Sequence, residues 1–193
     1  LGVEMGRVSA HKLGGPKGVG ALVLRRGTDL AAQLKGGGQE MGRRAGTESV
    51  IAIAGFGAAA EAAARELADG AWERVAELRN ILEITLDADA PSTILVGNKG
   101  PRLPNTTCVA VPGWKGETQV MQMDLAGFAV SAGSACSSGK VRASRVLTAM
   151  GLDASAAGSA IRVSLGPGVT EEEVCRFAEA WRRARDKFLA KVA

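Results

Sequence analysis

The sequence predicts an α/β protein, and three features of its patterning carry this prediction. Residues 19–25 form a short apolar run between glycine-rich turns, which is the pattern of a buried strand. Residues 47 to 67 form an alanine-rich helical segment, and residues 71–88 carry apolar residues at helical spacing. Shorter strand-like and helix-like segments alternate after them. We therefore expect a strand-and-loop segment, a helical connection and a small α+β domain, in that order.

A shaped loop precedes the helical connection. Residues 35–47 hold five glycines and few apolar side chains, so they can form neither a helix nor the interior of a strand. Thr47 can cap a first helix, and Gly70 separates it from a second helix at 71–88 that Pro91 ends. The expected apolar face of this second helix consists of Trp72, Val75, Leu78, Leu82 and Leu86.

The remainder of the chain predicts a small α+β domain. We expect strands at 93–96, 106–111 and 160–165 and a helix at 117–125. A final helix is indicated by a capping box, in which Thr170 and Glu173 satisfy each other's backbone groups. The buried stripe of this helix consists of Val174, Phe177, Trp181 and Phe188.

Composition places the chain among globular proteins and excludes several other classes. Of its 193 residues, 46% are hydrophobic and 23% charged, which is enough apolar surface for a packed core. The net charge of +4 is spread along the chain, without the basic stripe and stacking aromatics of nucleic-acid-binding proteins. No run of about twenty apolar residues and no secretion signal is present. We therefore expect a soluble protein without nucleic-acid or membrane partners.

Three cysteines, at positions 108, 136 and 175, are widely spaced and form no CxxC pair. This spacing argues against a disulfide framework or a metal site, and a reducing cytoplasm is the expected location. The chain opens on Leu1 without a methionine, and its densest motif follows within a few residues. We therefore expect it to be a piece of a longer protein.

The only histidine, His11, stands beside Lys12 just before the predicted strand at 19–25. A lysine that is partly desolvated at a strand end can react as an amine with a carbonyl compound. The alternative is a solvated loop lysine beside a turn histidine. The residue pattern alone leaves both open.

A second candidate lies at residues 131–140, SAGSACSSGK, where only Cys136 and Lys140 are not small. Two glycines bracket Cys136, and the charges of Lys140 and Arg142 favour its nucleophilic thiolate form. The alternative is a small buried cysteine, which we expect for the other two cysteines. A phosphate-binding P-loop does not fit, because the glycine spacing differs and Val141 replaces the required Ser or Thr.

A third candidate is Arg162, the single charged residue of the apolar segment 161–166. An unpaired guanidinium in a buried strand is costly, so we expect a carboxylate partner. That partner can belong to the protein, as a structural ion pair, or to a ligand bound in bidentate fashion. The sequence leaves these two open.

These motifs, in this order, resemble the cysteine desulfurases, the NifS-like branch of the fold-type-I, class V aminotransferases, which use pyridoxal phosphate. The similar segments are SAHKLGGPKGVGAL at 9–22, GGGQE at 36–40, RAGT at 44–47, GSACSSG at 133–139 and IRVSLG at 161–166. The segment LPNT at 103–106 is also similar to a family segment, to which we assign no role.

For the cofactor, the resemblance implies pyridoxal 5'-phosphate held covalently by Lys12. It implies that Ser9 and His11 contact the cofactor phosphate, and that Thr47 reaches the phosphate of the neighbouring subunit in a homodimer. Lys12 and Cys136 are the implied catalytic residues.

For the activity, the resemblance implies removal of sulfur from L-cysteine, giving L-alanine and a persulfide on Cys136. Arg162 would hold the substrate carboxylate, and an acceptor or iron–sulfur scaffold protein would take the sulfur for cluster or thionucleoside assembly. Two alternatives remain: a selenocysteine lyase or other class V aminotransferase, and an inactive fragment that serves only for dimerisation or scaffold binding.

For the domains, the resemblance implies an α/β architecture of the C-terminal part of a fold-type-I enzyme. Residues 1–47 would end the large mixed-sheet cofactor domain, residues 48–70 would form a linking helix, and residues 71–193 would form the small α+β domain. The family's N-terminal residues that stack on the cofactor ring and bind its pyridine nitrogen have no match here.

Overall fold

The computed structural model describes residues 3–88, 92–133 and 144–192. The chain divides into two compact units, Leu1–Asp69 and Gly70–Ala193. Cys136, Lys140 and Arg142 lie outside the described residues, as does Pro91, the expected helix terminator.

The first unit contains an antiparallel ribbon of β1 (Met5–Ser9) and β2 (Gly20–Leu24). β2 confirms the strand expected at 19–25, but the expectation that it is buried is wrong. Leu22 and Val23 are 49% and 50% exposed, because no further strand pairs with this ribbon among the described residues.

The two expected helices are confirmed as α1 (Val50–Ala68) and α2 (Ala71–Asp87). Thr47 does not cap α1: Ser49 is the flanking residue, and it makes no side-chain capping bond. α1 belongs to the first unit and has no buried residue, whereas α2 opens the second unit.

The second unit is built on a four-stranded antiparallel sheet in the order β3, β4, β6, β5. Its strands are β3 (Ile94–Val96), β4 (Thr106–Ala110), β5 (Ser131–Ala132) and β6 (Ile161–Ser164). Its further helices are α3 (Gly116–Leu125), α4 (Arg145–Ala149), α5 (Ala154–Ser159) and α6 (Glu171–Val192). The expected strands and long helices are thus confirmed within a few residues, while β5, α4 and α5 were not expected.

One face of this sheet carries the main hydrophobic core, between β4, β6 and the helices α2, α3 and α6. The Trp114 ring lies 5.5 Å from that of Trp181, and both indoles are buried. Gln119, fully buried, links three elements: it accepts from Trp181 Nε1 at 3.0 Å and donates to the carbonyls of Trp114 and Ser159. The expected capping box closes the start of α6, with Glu173 N donating to Thr170 Oγ1 at 3.2 Å.

The other face of the sheet is covered in part by α4 and α5. Ala110, Leu147, Ala157 and Ala160 form a second, smaller apolar cluster there. Both short helices have capped N-termini: Ser144 accepts from Leu147 N, and Asp153 accepts from Ala156 N. Across the described residues, no helix has the length and apolarity needed to cross a membrane.

Candidate active site

The segment that carries Lys12 is a tight turn between β1 and β2. A short 3-10 helix, Ala10–Leu13, follows β1 and ends at Gly14, whose φ of 89° is in the left-handed region that glycine adopts readily. Ala10 is fully buried, and its carbonyl accepts from the backbone N–H of Gly15 at 2.8 Å. Gly20 is also required, because a Cβ there would lie 2.7 Å from the carbonyl oxygen of Val8. The backbone around Lys12 is therefore fixed at both ends of the turn.

The side chains of this turn are open to solvent. His11 and Lys12 are exposed and Ser9 is half-buried. None of the three makes a side-chain hydrogen bond to another described residue. Of the two alternatives that the residue pattern left open for Lys12, the exposed side chain in this structure agrees with the solvated loop lysine.

α1 supports the Lys12 turn. Gly55 of α1 approaches Pro16 so closely that a Cβ at Gly55 would lie 3.0 Å from the Pro16 ring. Thr47 is exposed and stands three residues before this helix begins. The structure thus brings Ser9, His11 and Lys12 together in one turn and places Thr47 at the entry to the helix that packs on it.

The glycine-rich loop before Thr47 contains a tight turn at Gln39–Gly42 whose inner residues have non-helical backbone angles. Glu40 and Met41 have φ angles of 50° and 57°, so two non-glycine residues adopt the left-handed conformation in succession. The loop is held by a Glu40–Arg44 salt bridge of 3.0 Å and by Gly46 N donating to Gln39 Oε1 at 3.2 Å.

Arg162 lies on the second face of the sheet, in the second unit. Burial alternates along β6: Ile161 and Val163 enter the main core, while Arg162 points to the opposite face and is exposed. The prediction of a buried guanidinium is therefore wrong, because the strand is apolar on one face only. Cys108 of β4 and Ser131 of β5 stand directly opposite Arg162 in the two neighbouring strands.

A cavity of about 270 Å³ opens on this face. Thr106, Leu147 and Arg162 are among its lining residues. Gly133 and Ser144 line it too, and these are the two described residues that flank the segment 134–143 containing Cys136. Arg162 is the only charged residue among the described lining residues, and its guanidinium is not paired with a carboxylate of the described part.

The other two cysteines differ from the expectation of small buried residues. Cys108 is half-buried, and Cys175 is exposed on α6, so the expectation is wrong for Cys175. Burial raises the pKa of the Cys108 thiol, and the Arg162 charge lowers it by less. Cys108 therefore remains a neutral thiol beside a cation.

A buried polar cluster that the sequence did not predict joins α2 to β4. Arg102 donates two hydrogen bonds to the Glu83 carboxylate, and Thr107 Oγ1 donates a third at 2.8 Å. Arg79 adds a hydrogen bond from its guanidinium to the Leu103 carbonyl at 3.0 Å. Burial raises the pKa of Glu83, but the bonds from Arg102 and Thr107 outweigh it, so the pKa lies below its usual value.

This cluster gives the segment 103–106 a structural role. Arg79 of α2 bonds to the first residue of the segment, Leu103, and Thr107, the residue after the segment, bonds to Glu83 of α2. The Asn105 carbonyl accepts from Leu165 N at 2.9 Å. The only hint in the sequence is Glu83, which interrupts the apolar face of α2 next to Leu82.

Comparison with known proteins places the chain in a family. The sequence matches the aminotransferase class-V family over residues 1–177, and the chain belongs to this family. It is 44% identical over 172 residues to a cysteine desulfurase of Klebsiella pneumoniae, covering 89% of this chain and 43% of that protein. It is 42% identical over 174 residues to the cysteine desulfurase NifS of Azotobacter vinelandii, covering 90% and 43% respectively.

The fold agrees with this assignment. A solved structure of a NifS-like protein from Rickettsia africae aligns with a TM-score of 0.84 and 34% identity, covering 96% of this chain and 48% of that one. The fold is therefore that of the fold-type-I enzymes, and the family is pyridoxal-phosphate-dependent. The chain spans less than half the length of the curated relatives named above.

The residues of the Lys12 turn fit this cofactor chemically. A primary amine can bind an aldehyde carbon covalently, and a hydroxyl and an imidazole can both hydrogen-bond phosphate oxygens. Ser9 at the end of β1, with His11 and Lys12 in the turn that follows, offers these three groups, and none is engaged by another described side chain. The fixed backbone of the turn sets the positions from which these side chains extend.

Proposed function

We propose that the protein is a pyridoxal-phosphate-dependent cysteine desulfurase. It would remove sulfur from L-cysteine, giving L-alanine and a persulfide on Cys136. The observation that carries the proposal is Arg162, which has no carboxylate partner among the described residues and lines a cavity that both neighbours of segment 134–143 also line. The names of the relatives support the same activity.

The first step needs the amino acid to be held by its carboxylate. An arginine binds a carboxylate through two parallel hydrogen bonds, which fixes the orientation of the ligand as well as its position. Arg162 is exposed to the cavity, and its neighbours Cys108 and Ser131 on either side are uncharged at neutral pH. The guanidinium is therefore available for a ligand carboxylate.

Lys12 supplies the amine that would hold the cofactor and move a proton. The cofactor, when bound, supplies an electron-withdrawing ring that stabilises negative charge next to the reacting carbon. Ser9 and His11 would hold its phosphate, and Thr47 would hold the phosphate of the neighbouring subunit in a homodimer. Once its covalent bond to the cofactor is released, the Lys12 amine is the group of the turn that can accept and return a proton.

Cys136 is the proposed sulfur acceptor. It follows Gly133 by three residues, so chain connectivity limits the separation of their Cα atoms to about 11 Å. The Cys136 thiolate would attack the substrate sulfur: an S–S bond forms, the carbon–sulfur bond breaks, and the carbon skeleton gains a proton and leaves as alanine. The persulfide would then pass to an acceptor or iron–sulfur scaffold protein. We propose the cytoplasm as the location, since its reducing conditions keep the cysteines reduced.

The domain limits are part of the same proposal. Residues 1–47 would end the large cofactor domain, residues 48–70 would link it, and residues 71–193 would form the small domain.

Two substitutions in the full-length protein test the activity. Cys136→Ser should retain the cofactor and lose both persulfide formation and sulfur transfer, whereas Cys175→Ser, a matched change of an exposed thiol on α6, should keep both. Lys12→Ala should abolish the borohydride-stable link to the cofactor, measured as the mass of the peptide that contains residue 12. Unchanged sulfur transfer by Cys136→Ser would contradict the proposal. Cys136-independent release of selenium from selenocysteine would favour a selenocysteine lyase.

A further inference from the structure

One face of the second-unit sheet juxtaposes a thiol and a cation. β4 and β6 pair so that Cys108 and Arg162 are directly opposite each other, and both line the 270 Å³ cavity. Side chains that oppose each other across an antiparallel pair have Cβ atoms about 5 Å apart. Cys108 packs against the small apolar cluster of Ala110, Leu147 and Ala160, which fixes it as part of the cavity wall.

We propose that Cys108 is a specificity-determining residue, the wall against which a small carboxylate ligand held by Arg162 packs. The ligand class is a free α-amino acid or another carboxylate of similar size, which suits a cavity of about 270 Å³. The choice of an amino acid rests on the proposed function. The contact between ligand and Cys108 rests on the strand register and the cavity.

A neutral thiol suits this position for an electrostatic reason. An acidic residue directly opposite Arg162 would form a cross-strand ion pair and compete with the ligand carboxylate. Burial raises the pKa of Cys108, so at neutral pH its thiol carries no charge and leaves the guanidinium uncompensated. The half-buried thiol is also small enough to leave the cavity open.

Alkylation with matched reagents tests the contact. Iodoacetate carries a carboxylate and iodoacetamide a neutral amide, and both react in the same way: the thiolate attacks the methylene carbon, an S–C bond forms, the C–I bond breaks, and iodide leaves. The thiol proton goes to solvent. Arg162 should guide the anionic reagent to Cys108, whereas the exposed Cys175 on α6 provides an internal control in the same chain.

The measurement is the ratio of the iodoacetate to the iodoacetamide rate at each cysteine, followed by peptide mass spectrometry in a Cys136→Ser background. Both reagents react with the same thiolate, so the ratio of their rates at one cysteine does not depend on the fraction of thiol that is ionised. The raised pKa of Cys108 therefore does not affect the comparison. We expect the ratio at Cys108 to exceed that at Cys175 by about tenfold, since a cation a few ångströms away acts through a medium of intermediate dielectric. Arg162→Gln should remove the excess, and Arg162→Lys should keep part of it.

Protection gives a second readout. L-Alanine should slow iodoacetamide labelling of Cys108 but not of Cys175, and L-alaninamide, which lacks the carboxylate, should protect neither. Equal ratios at the two cysteines, or an excess that persists in Arg162→Gln, would overturn the inference.

The proposed function and this inference can fail separately. Labelling needs no turnover, so an Arg162-dependent bias in a protein without desulfurase activity would retain the inference and refute the function. In an active protein, Cys108→Asp should raise the KM for L-cysteine at least about tenfold above that of Cys108→Asn, since only Asp neutralises Arg162. Equal KM values for the two variants would refute the inference and leave the function standing.

Discussion

Replacing Glu83 by glutamine should destabilise the second unit, because the change removes the charge from a buried carboxylate that accepts three hydrogen bonds. Arg102 donates two of them and Thr107 the third. A glutamine side chain can accept hydrogen bonds through its single oxygen, but its amide NH2 group then faces one of the N–H or O–H groups that had donated to the carboxylate. The Arg102 side chain is 21% exposed in the folded protein, so water can solvate part of its guanidinium in the variant. This hydration reduces the stability lost. We expect a cost of about 2 kcal/mol in the free energy of unfolding.

Denaturant unfolding followed by tryptophan fluorescence measures this cost, since Trp114 and Trp181 are both buried in the same unit. Glu77→Gln is the matched control, because Glu77 is exposed on the same helix and its substitution should change stability by less than about 0.5 kcal/mol. A double-mutant cycle that combines Glu83→Gln with Arg102→Gln should give a coupling of about 1–2 kcal/mol.

The pH dependence separates an ionic role from a purely steric one. The pKa of Glu83 is lowered in the folded state, so its ionisation contributes stability above the unfolded value, about 4.3, and that contribution is lost as pH falls through the folded value. The difference between wild type and Glu83→Gln should therefore shrink on acidification. A difference that is the same at low pH as at neutral pH would refute this account of the cluster.

Three further outcomes are expected. Arg162→Lys should raise the KM for L-cysteine about tenfold, because lysine cannot reproduce the bidentate geometry, and should leave the spectrum of the bound cofactor unchanged. An unaltered KM would show that Arg162 does not bind the substrate carboxylate. Met41→Gly should raise the unfolding free energy by about 0.5–1 kcal/mol, measured against Met41→Ala, because glycine adopts the positive φ of 57° without strain; equal effects of the two variants would contradict this. Backbone amides of β4, β6 and α6 should exchange with deuterium more slowly than those of β1, β2 and α1, whose side chains are mostly exposed; equal protection would show that burial does not set the stability of the first unit.

Elements with local signals were predictable from the sequence. Periodicity gave the apolar stripes of α2 and α6, and Thr170 with Glu173 gave the start of α6, because each signal lies within a few residues of the element it specifies. β5 is two residues long, and α5 is built from alanine, serine and glycine, so neither carries a readable period.

The candidate site was predictable in part. The residue types at Lys12 and Arg162 indicate their chemistry, but the burial of Arg162 was predicted wrongly, because an apolar strand pattern does not say which faces other elements cover. The Glu83–Arg102–Thr107 cluster depends on a helix and a strand meeting, with partners 19 and 24 residues apart in sequence, so no local pattern could give it. The functional roles of all six proposed site residues remain predictions: Ser9, His11, Lys12, Thr47, Cys136 and Arg162.

The two halves of the proposed chemistry have unequal structural support. Arg162 stands on a sheet whose opposite face is fixed by a continuous core with two buried tryptophans, and the fully buried Gln119 bonds to both of them. The Lys12 turn is fixed through its backbone, by two glycines and a buried alanine, while the side chains around it remain exposed. Backbone fixation defines where the Lys12 side chain begins, but only surrounding side chains can restrict its amine to one rotamer and remove water from it. The carboxylate-binding step should therefore be measurable in this chain by labelling alone, whereas proton transfer at Lys12 requires further groups around the amine.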